Sequence, residues 1–458
     1  MHNESNLSMT RKQRPYVFYA QTQSLCEECL LVVPTKIIFQ NDRVYYLKRC
    51  LEHGLQKTLI STDVDYYLRC KQYLKPGDMP KLFQTKINKG CPHDCGLCPD
   101  HEQHSCLAIF EINDECNLNC PTCYARSAPG LGNYRSLKDI EAMLETLIRS
   151  ESEPDLVQLS GGEPTLHPQI FEIIDLIKSS PVRHLMLNTN GIRIANDEGF
   201  TKKLDKIKQG FEVYLQFDSL NSEALETIRG VNLTNTRLRA LEQLEKYNIS
   251  TTLVCVVQKG VNDNEINEII NFARQYTCIR GVTFQPIEHA GRHDENEKHK
   301  ITLSEIRSHI VKGDNPFTDT DMIPLPCHPE NIAIGYGLKV GKQITPVTGM
   351  IPKEILLNGV DNTITFEKNP TIKKAFLELF SLDACSEKTI DNLQTMLCCL
   401  PKVDLPNLGY DNVFRIVILE FMDKYNFDLG SIKRSCVHFV EPTGKIYPFE
   451  TWNMFYRS

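Results

Sequence analysis

Three features are scarce in this sequence, and each scarcity closes off a class of function. No stretch approaches the ~20 consecutive apolar residues needed to span a bilayer; the longest apolar runs, such as LVCVV around Cys255, fall far short of it. Basic residues are not in excess: 51 Lys and Arg stand against 58 Asp and Glu, for a net charge of −7. Nothing in that balance favours a nucleic-acid backbone as partner. The N-terminal stretch MHNESNLSMTRKQRPYVFYAQTQ lacks the apolar centre of a signal peptide. The expectation is a cytoplasmic protein with no transmembrane segment and no nucleic-acid partner. There is also no regular internal repeat and no low-complexity tract.

Cysteine, by contrast, is plentiful, at 18 of 458 residues. Thiols persist in a reducing compartment, so this many in an enzyme-sized chain point to metal rather than disulfides. The length predicts two or three domains. Residues 1–105 read as a cysteine-rich N-terminal region for metal or auxiliary clusters, with VVPTKIIF and RVYYLK alternating as a hairpin. Over residues 106–313, six strand-like runs (106–112, 156–160, 184–189, 213–217, 251–257 and 281–287) alternate with amphipathic stretches such as SLKDIEAMLETLIRS. Alternating βα units imply a parallel sheet with right-handed crossovers. The predicted fold is α/β, a partial (βα)6 TIM-like barrel flanked by cysteine-rich regions. In the third region, 314–458, the pattern weakens and cysteines return at 327, 385, 398, 399 and 436.

The spacing C-x3-C-x2-C occurs twice, as Cys91/Cys95/Cys98 and Cys116/Cys120/Cys123. The second copy follows the first strand of the βα region, where barrels of this kind place their reactive loops. Three thiolates can bind three irons of a [4Fe–4S] cube, and with no fourth cysteine nearby one iron keeps an open position. A structural zinc loop is the plainer alternative. The next strand ends in LSGGEPTLHP, where Gly161 and Gly162 would let a ligand lie against the backbone and Glu163 offers a carboxylate to a cationic group. Asn188 and Asn190 in LNTNG, Asp218 and Ser219 in QFDSL, and Gln285 in FQPI stand at other strand ends. Polar residues at such positions are candidate ligand contacts, although Asn, Asp and Ser also fill caps and turns.

Cys91, Cys95, Cys98 and Cys106 are expected to form a complete set of four thiolates, suited to electron transfer or redox tuning, with zinc as the alternative occupant. Cys26, Cys29, Cys50 and His53 give C-x2-C…C-x2-H, the arrangement of a mononuclear zinc or rubredoxin-like iron site, with Cys70 as an alternative fourth ligand. Cys327, Cys398, Cys399 and Cys436 are candidates for a third cluster.

Taken together, C-x3-C-x2-C after strand one, GGE after strand two and six βα units resemble the radical S-adenosylmethionine (SAM) superfamily. The resemblance implies that Cys116, Cys120 and Cys123 hold a [4Fe–4S] cluster whose open iron is chelated by SAM. It further implies that Gly161, Gly162 and Glu163 hold the SAM amine, with Asn188, Asp218, Ser219 and Gln285 as further contacts. The activity implied is reductive cleavage of SAM to a 5′-deoxyadenosyl radical that abstracts hydrogen from an unactivated C–H bond. One departure is Thr122 before the third cysteine, where many members carry an aromatic residue; here Tyr124 follows it.

CLEHG, the GCPHDCGLCPDHEQHSCLAIFEI block and the ending NVFRIVILEFMDKYNFDLGSIKRSCVHFVEPTGKIYPFETWNMFYR look like a smaller subset of that superfamily. The subset includes the archaeal tetraether lipid synthase and hydroxymethylpterin methyltransferase-like enzymes. This likeness implies one or two auxiliary [4Fe–4S] clusters, a mononuclear Fe or Zn, and C–C bond formation or C-methylation on a lipid-like or pterin substrate. It also implies an electron donor such as ferredoxin or flavodoxin and, for a lipid substrate, peripheral contact with a membrane. The alternatives are a SPASM-type peptide- or RNA-modifying radical SAM enzyme and a non-catalytic iron–sulfur electron-transfer protein. Against the first stands the largest cysteine block, which precedes the barrel; against the second stands Glu163.

Overall fold

The computed structural model describes residues 14–293, 299–351, 353–358 and 412–457. The N-terminal part is a four-stranded antiparallel sheet of β1 (Val17–Leu25), β2 (Val32–Gln40), β3 (Arg43–Cys50) and β4 (Gly54–Ser61), in the order β1-β2-β3-β4. The alternation read from VVPTKIIF and RVYYLK is the β2–β3 hairpin, with Phe39 opposite Val44. Alternate residues Val44 and Tyr46 point inward and pack with Ile37 and Tyr67. Tyr67 lies on α1 (Val64–Gln72), which starts at Asp63, whose carboxylate accepts the Tyr66 N–H.

The barrel strands are β5 (Leu107–Glu111), β6 (Leu156–Ser160), β7 (His184–Thr189), β8 (Phe211–Gln216), β9 (Thr251–Val257) and β10 (Ile279–Pro286). They pair in parallel in sequence order. All five residues of β6, LVQLS, are buried, as a parallel strand covered on both faces requires. Between the strands run α2 (Leu137–Glu151), α3 (Ile170–Lys178), α4 (Ile192–Asn196), α5 (Glu198–Asp205), α6 (Ser222–Arg229), α7 (Thr234–Lys246) and α8 (Ile266–Ala273). A capping box of Ser136 and Asp139 starts α2. Helix α3 buries Ile170, Ile173, Ile174 and Ile177, and α8 buries Ile266, Ile269, Ile270 and Ala273. This i, i+3, i+4, i+7 stripe lays each helix against the sheet.

The sheet does not stop at six strands. Beyond α9 (Leu303–Lys312) come β11 (Ile323–Pro324), β12 (Ile332–Val340), β13 (Gln343–Pro346), β14 (Val413–Leu419), β15 (Val437–Glu441) and β16 (Lys445–Pro448). β14 joins β10 in parallel and β15 joins β5 in parallel, so the C-terminal part extends the arc at both ends. β12 runs antiparallel to β14. The carboxylate of Glu212 on β8, fully buried, accepts two hydrogen bonds from Arg415 of β14 (2.8 and 2.8 Å). That pair links β8 to β14 past the two strands between them and holds the carboxyl well below its ordinary range.

Candidate active site and metal centres

The β5 loop and the β6 loop are built as one unit. Gly162 N donates to Asn113 O (2.7 Å) and Glu163 N to Glu115 O (2.8 Å). A methyl group on Gly161 would stand 2.2 Å from Asn113 O, and one on Gly162 would stand 2.0 Å from Glu115 O. Both glycines are therefore required by backbone meeting backbone, where the sequence suggested a backbone meeting a ligand. Their effect is to seat Glu163 beside the Cys116–Cys123 loop.

Glu163 is buried. Its Oε1 accepts from Thr165 N (3.1 Å), Thr165 Oγ1 and Thr189 Oγ1 (2.7 Å), while Oε2 accepts from Asn190 N (2.8 Å) alone. Burial pushes its acidity down, raising the carboxyl pKa against those donors. Oε2 keeps acceptor capacity for a cationic group.

Cys116, Cys120 and Cys123 line one open cavity together with Gly161, Gly162 and Glu163. Asn188, Asn190 and Gln285 line it too, as expected at strand ends of the same barrel mouth. Asn188 is oriented by Gln216 Nε2 (2.7 Å) and by its own bond to Ser160 Oγ (3.1 Å). Tyr124 donates to or accepts from the same Ser160 hydroxyl at 3.0 Å.

Asp218 and Ser219 are a correction, because neither lines the cavity. The chain turns at Asp218 with φ +61° and drives its carboxylate inward. There it accepts from Arg229 Nε and NH2 (both 2.7 Å), Arg237 (2.6 Å) and Val256 N (3.2 Å). Ser219 Oγ donates to Glu265 Oε2 at 2.7 Å. Asp218 has its four lone pairs committed and the Ser219 hydroxyl is held by Glu265 and Asn221 N (2.8 Å), so both side chains are turned to the protein and away from the ribose of SAM. Arg229 lines the cavity instead, donates to Gln216 Oε1 (2.8 Å) and faces the Cys120 sulfur. Sequence reading missed Arg229 and Gln216; an arginine ending a helix before Gly230 looks like an ordinary C-terminal cation.

The thiols fit an iron cluster by their chemistry. Burial, then the neighbouring Glu163, Cys120 and Cys123, push the Cys116 thiol up to about 12. A thiol that resists ionising in this way is stabilised as a thiolate by a multivalent cation, and Cys120 and Cys123 offer two further sulfurs beside it.

Cys91, Cys95 and Cys98 line a separate, smaller cavity with Asp94, Asp100 and His101. Burial pushes Cys91 up to about 12 and Cys95 up to about 11. Cys106 is not their fourth partner, which corrects the four-thiolate set read from the sequence. Leu107 pairs with Val437 in the β5–β15 ladder, so the preceding residues Cys106 and Cys436 come side by side. The sulfurs of Cys106, Cys327 and Cys436 all lie within 4.8 Å of one another. The grouping of Cys327 with Cys436 therefore holds, and Cys106 joins them; Cys398 and Cys399 lie outside the described residues. Among the described residues, each C-x3-C-x2-C triplet thus lines its cavity without a fourth cysteine.

Cys26, Cys29, Cys50 and His53 converge with ligand atoms within 4.8 Å of one another. His53 Nδ1 is 3.5 Å from both Cys26 Sγ and Cys50 Sγ. Backbone N–H groups of His53 and Glu52 hold the Cys50 thiol down to about 6. Cys70 is buried on α1 beside Tyr66 and takes no part.

Residues 110–273 match the Radical SAM superfamily, and residues 18–62 match the HMPTM N-terminal zinc ribbon domain. The 7,8-dihydro-6-hydroxymethylpterin dimethyltransferase of Methanocaldococcus jannaschii is 31% identical, over 96% of this chain and 94% of that protein. The GTP 3',8-cyclase of a Synechocystis species is 31% identical over 43% of this chain and 59% of that one. Streptococcus suis SuiB bound to S-adenosylmethionine aligns at a TM-score of 0.38 and 15% identity, over 45% of this chain and 47% of that chain. No helix among the described residues is long and apolar enough to cross a membrane. The ribbon match followed by the radical SAM match, with a relative 31% identical along almost the whole length, identifies the chain as a radical SAM enzyme of the family that includes the pterin dimethyltransferase of M. jannaschii.

Proposed function

We propose that this enzyme functionalises an unactivated C–H bond by C-methylation of a pterin-like substrate. The observation that carries the reading is full-length similarity to a protein named as a hydroxymethylpterin dimethyltransferase. The cavity shared by the cysteine triplet, Glu163 and a wall of Tyr124, Phe421 and Phe449 supports it. When bound, a [4Fe–4S] cluster and SAM supply reductive cleavage of a sulfonium and a hydrogen-abstracting carbon radical. The chain's own groups bind and orient. Cys116, Cys120 and Cys123 hold the irons, Glu163 takes the methionyl amine, and Arg229 with Gln216 takes the methionyl carboxylate. The aromatic wall excludes water from the reacting carbon. The ribbon sulfurs and His53 hold a mononuclear zinc or iron; the other two cysteine groups hold auxiliary metal. Residues 1–105, 106–313 and 314–458 act as a metal-bearing N-terminal module, the radical core and an auxiliary module. A ferredoxin- or flavodoxin-like donor in the cytoplasm supplies electrons.

A second reading, a lipid-like substrate, is favoured by one feature. An apolar chamber lies against the active cavity and shares Leu107, Tyr214, Leu419 and Val437 with it. Leu156, Met186, Ile332, Ile334 and Val417 also line it, a surface suited to an alkyl chain. The test is anaerobic reconstitution with SAM and a reductant, comparing 6-hydroxymethyl-7,8-dihydropterin with a long-chain ether lipid. Pterin-stimulated 5′-deoxyadenosine and a methylated pterin by mass spectrometry support the first reading. Stimulation by the lipid alone replaces it with the second.

A further inference from the structure

We infer that Glu288 is the side chain that recognises the substrate, by accepting hydrogen bonds from the paired N–H donors of a planar amino-heterocycle. The inference rests on the pterin reading and adds to it a named residue and a named edge of the ligand.

Glu288 stands two residues beyond the C-terminal end of β10, at the barrel mouth, and lines the cavity that holds the cysteine triplet. Its Oε1 is buried and has no hydrogen-bond partner among the described residues. One neighbouring amide is within reach: Asn453 faces it, its Oδ1 accepting from Arg457 Nε (2.8 Å), and its otherwise unpartnered Nδ2 can satisfy at most one of the carboxylate's four lone pairs. Arg457 spends its NH2 on Glu111 Oε1 (2.8 Å). Burial, and then the nearby Asp423 and Glu450, push the Glu288 carboxyl well above its ordinary range. A buried acceptor with a vacant lone pair is costly, and a ligand donating N–H groups to it relieves that cost.

The surroundings select the shape of that ligand. Phe421 and Phe449 line the same cavity and stack with ring centroids 3.7 Å apart, and Tyr124 meets Phe449 at 5.3 Å. β10 and β14 are paired neighbours, so Glu288 and Phe421 emerge from adjacent strand ends. A flat ring lying along such a wall presents its edge to Glu288, and a 2-amino pyrimidinone edge carries two adjacent N–H donors in the ring plane. Two N–H donors favour the ionised form against the burial that opposes it, and one carboxylate then accepts both. The groups assigned to SAM (Glu163, Gln216 and Arg229) come from the loop after β6, the end of β8 and the end of α6, leaving Glu288 to the substrate.

The test uses the full-length, anaerobically reconstituted enzyme and two probes. One is 6-hydroxymethyl-7,8-dihydropterin; the other is its lumazine counterpart, in which oxygen replaces the 2-amino group. Wild type is expected to bind the pterin roughly 10–100-fold more tightly than the lumazine, the span set by a charged hydrogen bond left unmade. Glu288→Gln is expected to erase that preference, with iron content and the thermal transition confirming an intact fold. Should Glu288→Gln fail to load iron, Glu288→Asp is measured instead, and its shortened carboxylate should lower the preference several-fold. A variant that keeps the full preference for pterin overturns the role of Glu288 and leaves the pterin reading standing. A wild-type enzyme that binds neither probe overturns the pterin reading and this inference with it.

Discussion

The thiols of Cys327 and Cys436 lie 3.5 Å apart although 109 residues of chain separate them. Cys106 completes the group from a third segment, so the barrel's first strand and the C-terminal strands are joined through sulfur. Replacing Cys436 with Ser is expected to release the metal held there while the N-terminal group of Cys26, Cys29, Cys50 and His53 keeps its own. Because ligation energy is folding energy, the thermal midpoint should fall by several degrees. Metal content per chain, measured beside the melting curve, checks both parts; unchanged metal content contradicts the grouping.

Asp218 balances two arginines, the buried Arg237 and the partly buried Arg229. Asp218→Ala leaves both cations uncompensated and should cost about 3–5 kcal/mol of stability. Arg229→Lys keeps a charge but loses the fork that spans Asp218 and Gln216, so SAM affinity should drop roughly tenfold with a smaller loss of stability. Denaturant midpoints and equilibrium SAM binding on the two variants separate the roles. Tight SAM binding by Arg229→Lys contradicts the placement of Arg229 at the methionyl carboxylate.

Burial raises the Glu420 carboxyl to about 7, from an ordinary value of 4.5. An acid raised on folding contributes its stability below 4.5 and loses it as the pH climbs through about 7, a swing of up to ~3 kcal/mol. Glu420→Gln does not ionise, so its stability relative to wild type should improve between about pH 5 and pH 8. Its lost or weakened bonds to Leu303 N and Asn426 Nδ2 shift both ends of that comparison equally. Urea midpoints at the two pH values check it; a pH-independent difference contradicts the assignment.

Much of this architecture was legible because local pattern and function coincide. β6, β7 and β9 occupy the residues read from their apolar runs, and α2 begins at the Ser136 cap that its sequence advertises. The triplet at Cys116 and the glycines at 161 and 162 were recognisable because spacing alone fixes them. What stayed hidden depends on contacts between distant segments. Cys106 reads as the fourth member of a nearby set until β15 is seen beside β5. The pattern of β14, alternately buried and half-buried, gives no hint that it extends a parallel sheet beside β10. Asp218 reads as a polar strand-end ligand, and only its left-handed backbone and two arginine partners reveal an internal ion pair.

The most direct test of the whole account is made on Cys116. Wild type and Cys116→Ala are purified without oxygen, reconstituted with iron and sulfide, and supplied with SAM and a strong reductant. The account predicts 5′-deoxyadenosine from wild type and none from the variant, which loses one cluster's iron and keeps the metal of the N-terminal ribbon. Zinc instead of iron at Cys116, Cys120 and Cys123, or 5′-deoxyadenosine formed at the wild-type rate by Cys116→Ala, would contradict it.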